Sequence, residues 1–269
     1  MDLFAADAKE IVQTVLAVKK YRSVCPDTVL RIARNELVRR GSVKAALKGT
    51  KRRLHQICRS FERKIDYEAA YRHLQAAYDQ GNVSAIKAAC REILRQHSST
   101  RERLPILKEF YNPLWAITGV PRTLLDLGCG LNPLTLPWMD LPPGSQYVAF
   151  DIDAPRIAFL NHFFALAGLP PLANWQDVVC HLPEREADVA LLLKTSPTLE
   201  HQEKGGTLRL LQALQVPFLV VSFSVKSLGG KEKGMATHYE REFLAMVEDE
   251  PWQISKQVFE TELVFVIKK

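Results

Sequence analysis

Apolar positions recur every three to four residues along residues 1–97, and from residue 123 onward they gather into short continuous runs. The first pattern belongs to amphipathic helices and the second to buried strands. Ile11, Val12, Val15 and Leu16 form one helical stripe. Val29, Ile32, Ala33 and Leu37 form another, with Asp27 placed to cap it. Tyr67, Ala70, Tyr71, Leu74 and Tyr78 follow Asp66, and Ile86, Ala89 and Ile93 follow Asn82. Between Gly41 and Asp66, Leu47, Leu54, Ile57 and Phe61 give a strongly basic helix one buried side. Residues 1–97 therefore read as an all-helical domain.

Ser98 to Arg103 marks a junction, and Ser99 with Glu102 fits a capping box for the next helix. That helix would carry Leu104, Leu107, Phe110, Tyr111, Leu114 and Trp115, with Pro105 and Pro113 limiting it. Strands are expected at 123–127, 146–150, 188–193, 217–223 and 262–267, and helices at 154–167, 205–214 and 238–247. Strands alternating with helices predict an α/β domain with a Rossmann-like sheet over residues 98–269.

The chemistry concentrates where the first of these strands ends. Leu124, Leu125 and Leu127 surround Asp126, and the run stops at Gly128 and Gly130. The next strand closes in Asp151. Glycines let a backbone approach a ligand closely, and an acid closing the second strand suits a ribose diol. A dinucleotide fingerprint would need a third glycine where Pro133 stands. Asp126 would repel a pyrophosphate and suits a cationic ligand such as S-adenosylmethionine. An ordinary strand and glycine turn without a ligand is the plainer alternative.

Composition changes the picture mainly through its distribution. Residues 1–100 hold 20 Lys/Arg against 10 Asp/Glu, whereas residues 101–269 hold 16 against 20. A basic excess confined to the helical part points to a polyanion, most readily nucleic acid. A solvated basic face is the bland reading. Five cysteines without a C-x-x-C spacing read as reduced thiols of a cytoplasmic protein. No apolar run approaches the length of a membrane span, and no His/Cys cluster suggests a metal.

Further candidates follow the remaining strands. Asp177 is either a solvated loop aspartate or an acceptor for an adenine amine. Arg103 is either a surface arginine or a forked clamp for a carboxylate. Lys194 leaves its strand beside the glycine loop, where a substrate would meet the cofactor. Ser222, Phe223 and Ser224 run into a loop with Lys226, Lys231 and Lys233. That loop could grip RNA phosphates while Phe223 stacks on a flipped base. The seven histidines are scattered and read as core or surface residues.

Taken in order, Ser99 to Arg103, Leu125 to Pro133, Asp151-Ile152, Gln176-Asp177, Lys194-Thr195, Ser222-Phe223 and Lys226 to Met235 resemble the aminoglycoside-resistance 16S ribosomal RNA (guanine-N7) methyltransferases. The resemblance runs from about residue 98 to the chain's end, and the basic N-terminal part matches in character. It implies methyl transfer from S-adenosylmethionine to a guanine N7 of 16S rRNA within the assembled 30S subunit. It implies that Arg103 holds the methionine carboxylate, Gly128 and Gly130 the methionine backbone, Asp151 the ribose and Asp177 the adenine. Asp126, Ile152, Leu193 and Gln202 complete the expected cofactor set. Lys194, Phe223, Lys226, Lys231 and Lys233 would meet the RNA near its target. Lys19, Lys20, Arg52, Arg53, Arg63 and Lys64 would dock the ribosome. A methyltransferase for another rRNA base or a small molecule, or a non-catalytic ribosome-binding protein, are the alternatives.

Overall fold

The computed structural model describes residues 5–59, 65–225 and 234–269. Arg63, Lys64, Lys226, Lys231 and Lys233 lie outside the described residues. The N-terminal helices are α1 (Ala5–Leu16), α2 (Pro26–Arg40), α3 (Val43–Arg59), α4 (Tyr67–Asp79) and α5 (Val83–Leu94). Asp66 and Asn82, which precede the third and fourth stripes, cap α4 and α5, accepting from the Ala69 and Ser84 N–H groups. Asp27 does not cap α2: Cys25 stands at the cap, Pro26 opens the helix, and Asp27 falls in its first turn. Proline at the first helical position explains this, because its fixed φ starts the helix one residue earlier.

The segment after residue 97 forms two helices, α6 (Ser98–Arg103) and α7 (Leu107–Thr118), separated at Pro105. The expected capping box is absent. Ser99 Oγ instead pairs with His97 Nδ1, and Glu102 accepts from Lys194 Nζ and Ser224 Oγ. Glu102 is drawn across to another part of the chain because a lysine ammonium attracts it more strongly than a backbone amide does.

Then come β1 (Thr123–Leu127), a 3-10 helix (Asn132–Trp138), β2 (Gln146–Asp151), α8 (Ala154–Leu166), β3 (Ala173–Trp175) and β4 (Val189–Leu193). They are followed by α9 (Ser196–Gln202), α10 (Gly206–Ala213), β5 (Phe218–Ser224), α11 (Met235–Met246), β6 (Gln253–Val258) and β7 (Glu262–Lys268). Among the described residues the strands form one sheet in the order β3-β2-β1-β4-β5-β7-β6. β1 to β5 run parallel, and β7 pairs antiparallel with both β5 and β6. The expected strands fall within a residue of those observed, and α11 begins three residues earlier than expected. β3, β6 and the 3-10 helix were not anticipated. The chain is thus α/β with a Rossmann-like sheet and a helical N-terminal region.

The core explains how the site is walled. α4, α5 and α7 pack through Leu74, Ile93, Phe110 and Tyr111 into the same core as Leu124, Leu191 and Val264 of the sheet. The other sheet face is covered by α10 and α11 through Leu211 and Phe243. α1 to α3 build a separate core from Ile11, Val29, Leu37 and Leu54, with Ile152 packed against it. Cys25 N–H donates to Ile152 C=O, so this small core is fastened to the end of β2. The helices α1 to α3 therefore stand over the carboxyl end of β2.

Candidate cofactor cavity

β1 lies between β2 and β4, so the strand order reverses at it while the strands stay parallel, and ligands bind at such a switch point. A cavity of about 490 Å³ opens there. Its floor is the glycine loop. Gly128 and Gly130 have φ of +67° and +53°, a region side-chain-bearing residues disfavour. A Cβ on Gly128 would lie 2.7 Å from Thr195 Cγ2, and one on Gly130 would lie 3.3 Å from His97 Cε1. The loop is tied to β2 by Cys129 N–H donating to Phe150 C=O and by Gly130 N–H donating to Asp151 Oδ2 at 2.9 Å.

Asp151 borders the cavity, and Arg156 Nη1 donates to its other oxygen at 2.8 Å. Burial pushes Asp151 up to about 7. Asp177 stands at the far end. Its Oδ1 accepts from Val179 N–H at 2.9 Å and its Oδ2 from Arg31 Nη2 at 2.8 Å. Ile152, Leu193 and Gln202 also line the cavity. The glycine loop, Asp151, Asp177, Ile152, Leu193 and Gln202 are therefore brought together around one space.

Asp126 is not part of that lining. It is buried beneath the loop, where its Oδ2 accepts from Tyr147 Oη at 2.5 Å and Asn132 Nδ2 at 3.0 Å. Burial raises it to about 6. Asp126 lies on the strand face it shares with Leu124, under α4, α5 and α7, where it supports Asn132. Arg103 is no surface residue: it is 2% exposed and borders the cavity. Its Nε and Nη2 donate to Glu262 at 2.7 and 2.9 Å, and its Nη1 donates to Asn132 Oδ1 at 2.6 Å.

Two residues expected to meet RNA are buried in the structure. Lys194 is buried, and its Nζ lies 2.9 Å from Glu102, 3.1 Å from Ser99 C=O and 3.3 Å from Glu262. Its charge is used inside the protein, which leaves it a structural tie next to the cavity. Phe223 is 4% exposed and packed against Tyr239, Phe243 and Phe265. It cannot stack on a base, because β5 turns it into the core under α11. Phe223→Leu is accordingly expected to cost about 1 kcal/mol of stability and to leave cofactor affinity unchanged. Urea unfolding and calorimetric titration check this, and a loss confined to RNA methylation would restore the stacking role.

Of the docking candidates, Lys19 and Arg52 are exposed. Lys20 pairs with His55 and sits at the cavity rim. Arg53 is partly committed, its Nη1 donating to His201 C=O at 2.9 Å. The structure also brings to the cavity residues that sequence reasoning passed over: Thr28, Arg31, His97, Asn132 and Arg156. His97 is 5% exposed, and burial beside Lys194 and Arg103 lowers it to about 4, so it is neutral near pH 7. Glu262 does not line the cavity but holds Arg103 beside it, and it heads the apolar run Leu263 to Ile267.

The residues fit S-adenosylmethionine. The glycine floor admits a close ligand backbone, carboxylates stand at two ends, and Thr28 Oγ1 and Arg31 Nε are buried without a hydrogen-bond partner among the described residues. Among those residues no group of three His, Cys, Asp or Glu side chains is placed to hold a metal, and no helix is long and apolar enough to cross a membrane.

Comparison with known proteins gives the same picture. A 16S rRNA (guanine(1405)-N(7))-methyltransferase of Micromonospora echinospora is 39% identical over 263 residues, covering 97% of this chain and 96% of that one. The enzyme of that description from Serratia marcescens is 35% identical over 264 residues, covering 95% and 96%. The crystal structure of the 16S rRNA methyltransferase RmtF in complex with S-adenosyl-L-homocysteine superposes with a TM-score of 0.81 at 34% identity, covering 97% of this chain and 98% of that one. The 16S rRNA methylase RmtB gives 0.77 at 30% identity, covering 97% and 98%. The ribosomal RNA methyltransferase (FmrO) family model matches residues 17–266, and the chain belongs to that family, whose cofactor is S-adenosylmethionine.

Proposed function

We propose that this chain methylates N7 of guanine 1405 of 16S rRNA in the assembled 30S subunit, the position for which its relatives are named, and thereby confers aminoglycoside resistance. The observation that carries the reading is the cavity at the β1–β4 switch point, lined by Gly128, Gly130, Asp151 and Asp177 in a chain matched over residues 17–266 by an rRNA methyltransferase family. The bound cofactor supplies an electrophilic sulfonium methyl. Asp151 accepts from ribose hydroxyls, Asp177 from the adenine amine, and the glycine floor lets the methionine moiety lie against backbone. Arg103, already forked onto Glu262, offers its cavity-facing edge to the methionine carboxylate.

Guanine N7 carries a lone pair and no proton, so the acceptor requires no general base. The site agrees with this: His97 is buried, neutral and spent on Ser99, and the remaining work is positioning and exclusion of water. Residues 1–97 take the docking role, with Lys19 and Arg52 as exposed contacts, Lys20 and Arg53 at the rim, and Arg63 and Lys64 outside the described residues. Residues 98–269 take the chemical role. Such a protein works in the cytoplasm, where its substrate is.

The test is incubation of 30S subunits with the protein and cofactor, then borohydride reduction and aniline scission at N7-methylguanine. A single new stop at guanine 1405 is expected, and unmodified RNA overturns the reading. Affinity for 30S subunits should fall steeply with salt, the logarithm of affinity declining linearly with the logarithm of salt concentration. A flat response, read by filter binding, removes the docking role of the helical region.

A further inference from the structure

α2 reaches over the cavity with two residues to which the proposed function assigns no role. Thr28 and Arg31 are three apart, so they share one helix face, and both line the cavity. The Thr28 side chain is fully buried, yet its Oγ1 has no hydrogen-bond partner among the described residues. Arg31 has 13% of its side chain exposed. Its Nη2 bridges two residues of the α/β part, donating to Asp177 Oδ2 at 2.8 Å and to Gln202 Oε1 at 2.7 Å. Its Nε is buried and has no partner among the described residues.

We propose that Arg31 and Thr28 complete the adenine end of the cofactor cavity, and that Arg31 determines the preference for adenine by holding Asp177 and Gln202 in place. This rests on the reading that Asp177 accepts from the adenine amine. Three features carry it. Asp177 is 3% exposed, and without Arg31 its Oδ2 would have no side-chain donor among the described residues. Gln202 gives its carbonyl oxygen to Arg31, which leaves its NH2 to donate to a ring nitrogen. Arg31 Nε and Thr28 Oγ1 add two further groups in a cavity wall, and buried polar groups are stabilised by finding a partner. Adenine offers what such a set requires, an exocyclic donor beside several ring acceptors. A base carrying a carbonyl in place of the amine would set oxygen against the Asp177 carboxylate. The base of the cofactor is thus read by a helix of the N-terminal region, and loosening that region should loosen the cofactor.

Calorimetric titration of the full chain with S-adenosylhomocysteine and with S-inosylhomocysteine tests this, since inosine replaces the amine by a carbonyl. The unsubstituted protein should prefer the adenosine ligand by about tenfold or more. Arg31→Met should lose about tenfold in affinity for that ligand and most of the preference. Arg31→Lys, which can pair with Asp177 without forking to Gln202, should fall between. Thr28→Val should bind the adenosine ligand about threefold more weakly. If the unsubstituted protein does not distinguish the two ligands, the assignment of Asp177 to the adenine fails. If it does distinguish them and Arg31→Met keeps both affinity and preference, the proposal fails while that assignment stands. Should Arg31→Met not fold, unchanged affinity in both Arg31→Lys and Thr28→Val overturns the proposal.

Discussion

Glu262→Ala is expected to cost about 3–5 kcal/mol of folding stability, because it strips a carboxylate from buried cations. Glu262 is 0% exposed. It accepts both arms of Arg103, takes Ser222 Oγ at 2.9 Å, and lies 3.3 Å from Lys194 Nζ. Burial alone would raise its pKa, but Arg103 and Lys194 outweigh burial and hold it below the ordinary glutamate value. With alanine there, Arg103 keeps, among the described residues, Asn132 and the face of Phe110, whose ring centre is 4.6 Å away. Lys194 keeps Glu102. Its backbone sits at φ +58°, a conformation that costs a non-glycine residue about 1–2 kcal/mol. One of the three groups that hold Lys194 there would be lost. Glu262→Gln retains the shape and one acceptor oxygen but sets an NH2 donor against the donors on the other side, so it too should lose stability, by less than alanine because no space is left empty. Urea unfolding of both variants checks this, and a loss under about 1 kcal/mol for alanine would show that the two cations are not held by Glu262.

This network also shows where sequence reasoning stops. β1, β2, β4 and β5 were legible because parallel strands buried on both faces are continuous apolar runs, and turn glycines and Asp151 marked their ends. The starts of α4 and α5 were legible because Asp66 and Asn82 stand just before their apolar stripes, and capping is a local device. β6, Gln253–Val258, alternates with mostly exposed residues at a sheet edge, and its pairing with β7 fixes it more than its composition does. The roles of Phe223 and Lys194 were misjudged for a different reason. Both sit at strand ends beside the expected ligand, but what they touch comes from α11, β7 and α6, distant in sequence. Arg31 carried no signal at all. One arginine in a basic helix looks like any other until the fold sets it against Asp177.

The glycine loop was the most legible element, and Gly128→Ala should therefore have the largest effect on the cofactor: a loss of about a hundredfold in affinity for S-adenosylhomocysteine, or about 2.7 kcal/mol. Two costs combine. The first is conformational, since φ is +67° and an alanine there is strained by about 1–2 kcal/mol. The second is steric, since the new Cβ would lie 2.7 Å from Thr195 Cγ2 and 3.1 Å from its Oγ1. Thr195 cannot retreat freely. It precedes Ser196, where α9 begins, and its hydroxyl bonds Leu193 C=O at 3.2 Å. Pushing it moves the helix that brings Leu199 and Gln202 to the cavity. Gly41→Ala separates the two costs. Gly41 ends α2 at the same φ of +67°, and a Cβ there would meet nothing within 4 Å among the described residues. It should lose about 1 kcal/mol of stability and keep its cofactor affinity. If Gly128→Ala binds S-adenosylhomocysteine as Gly41→Ala does, close approach at the loop contributes nothing to binding, and the ligand does not lie against Gly128.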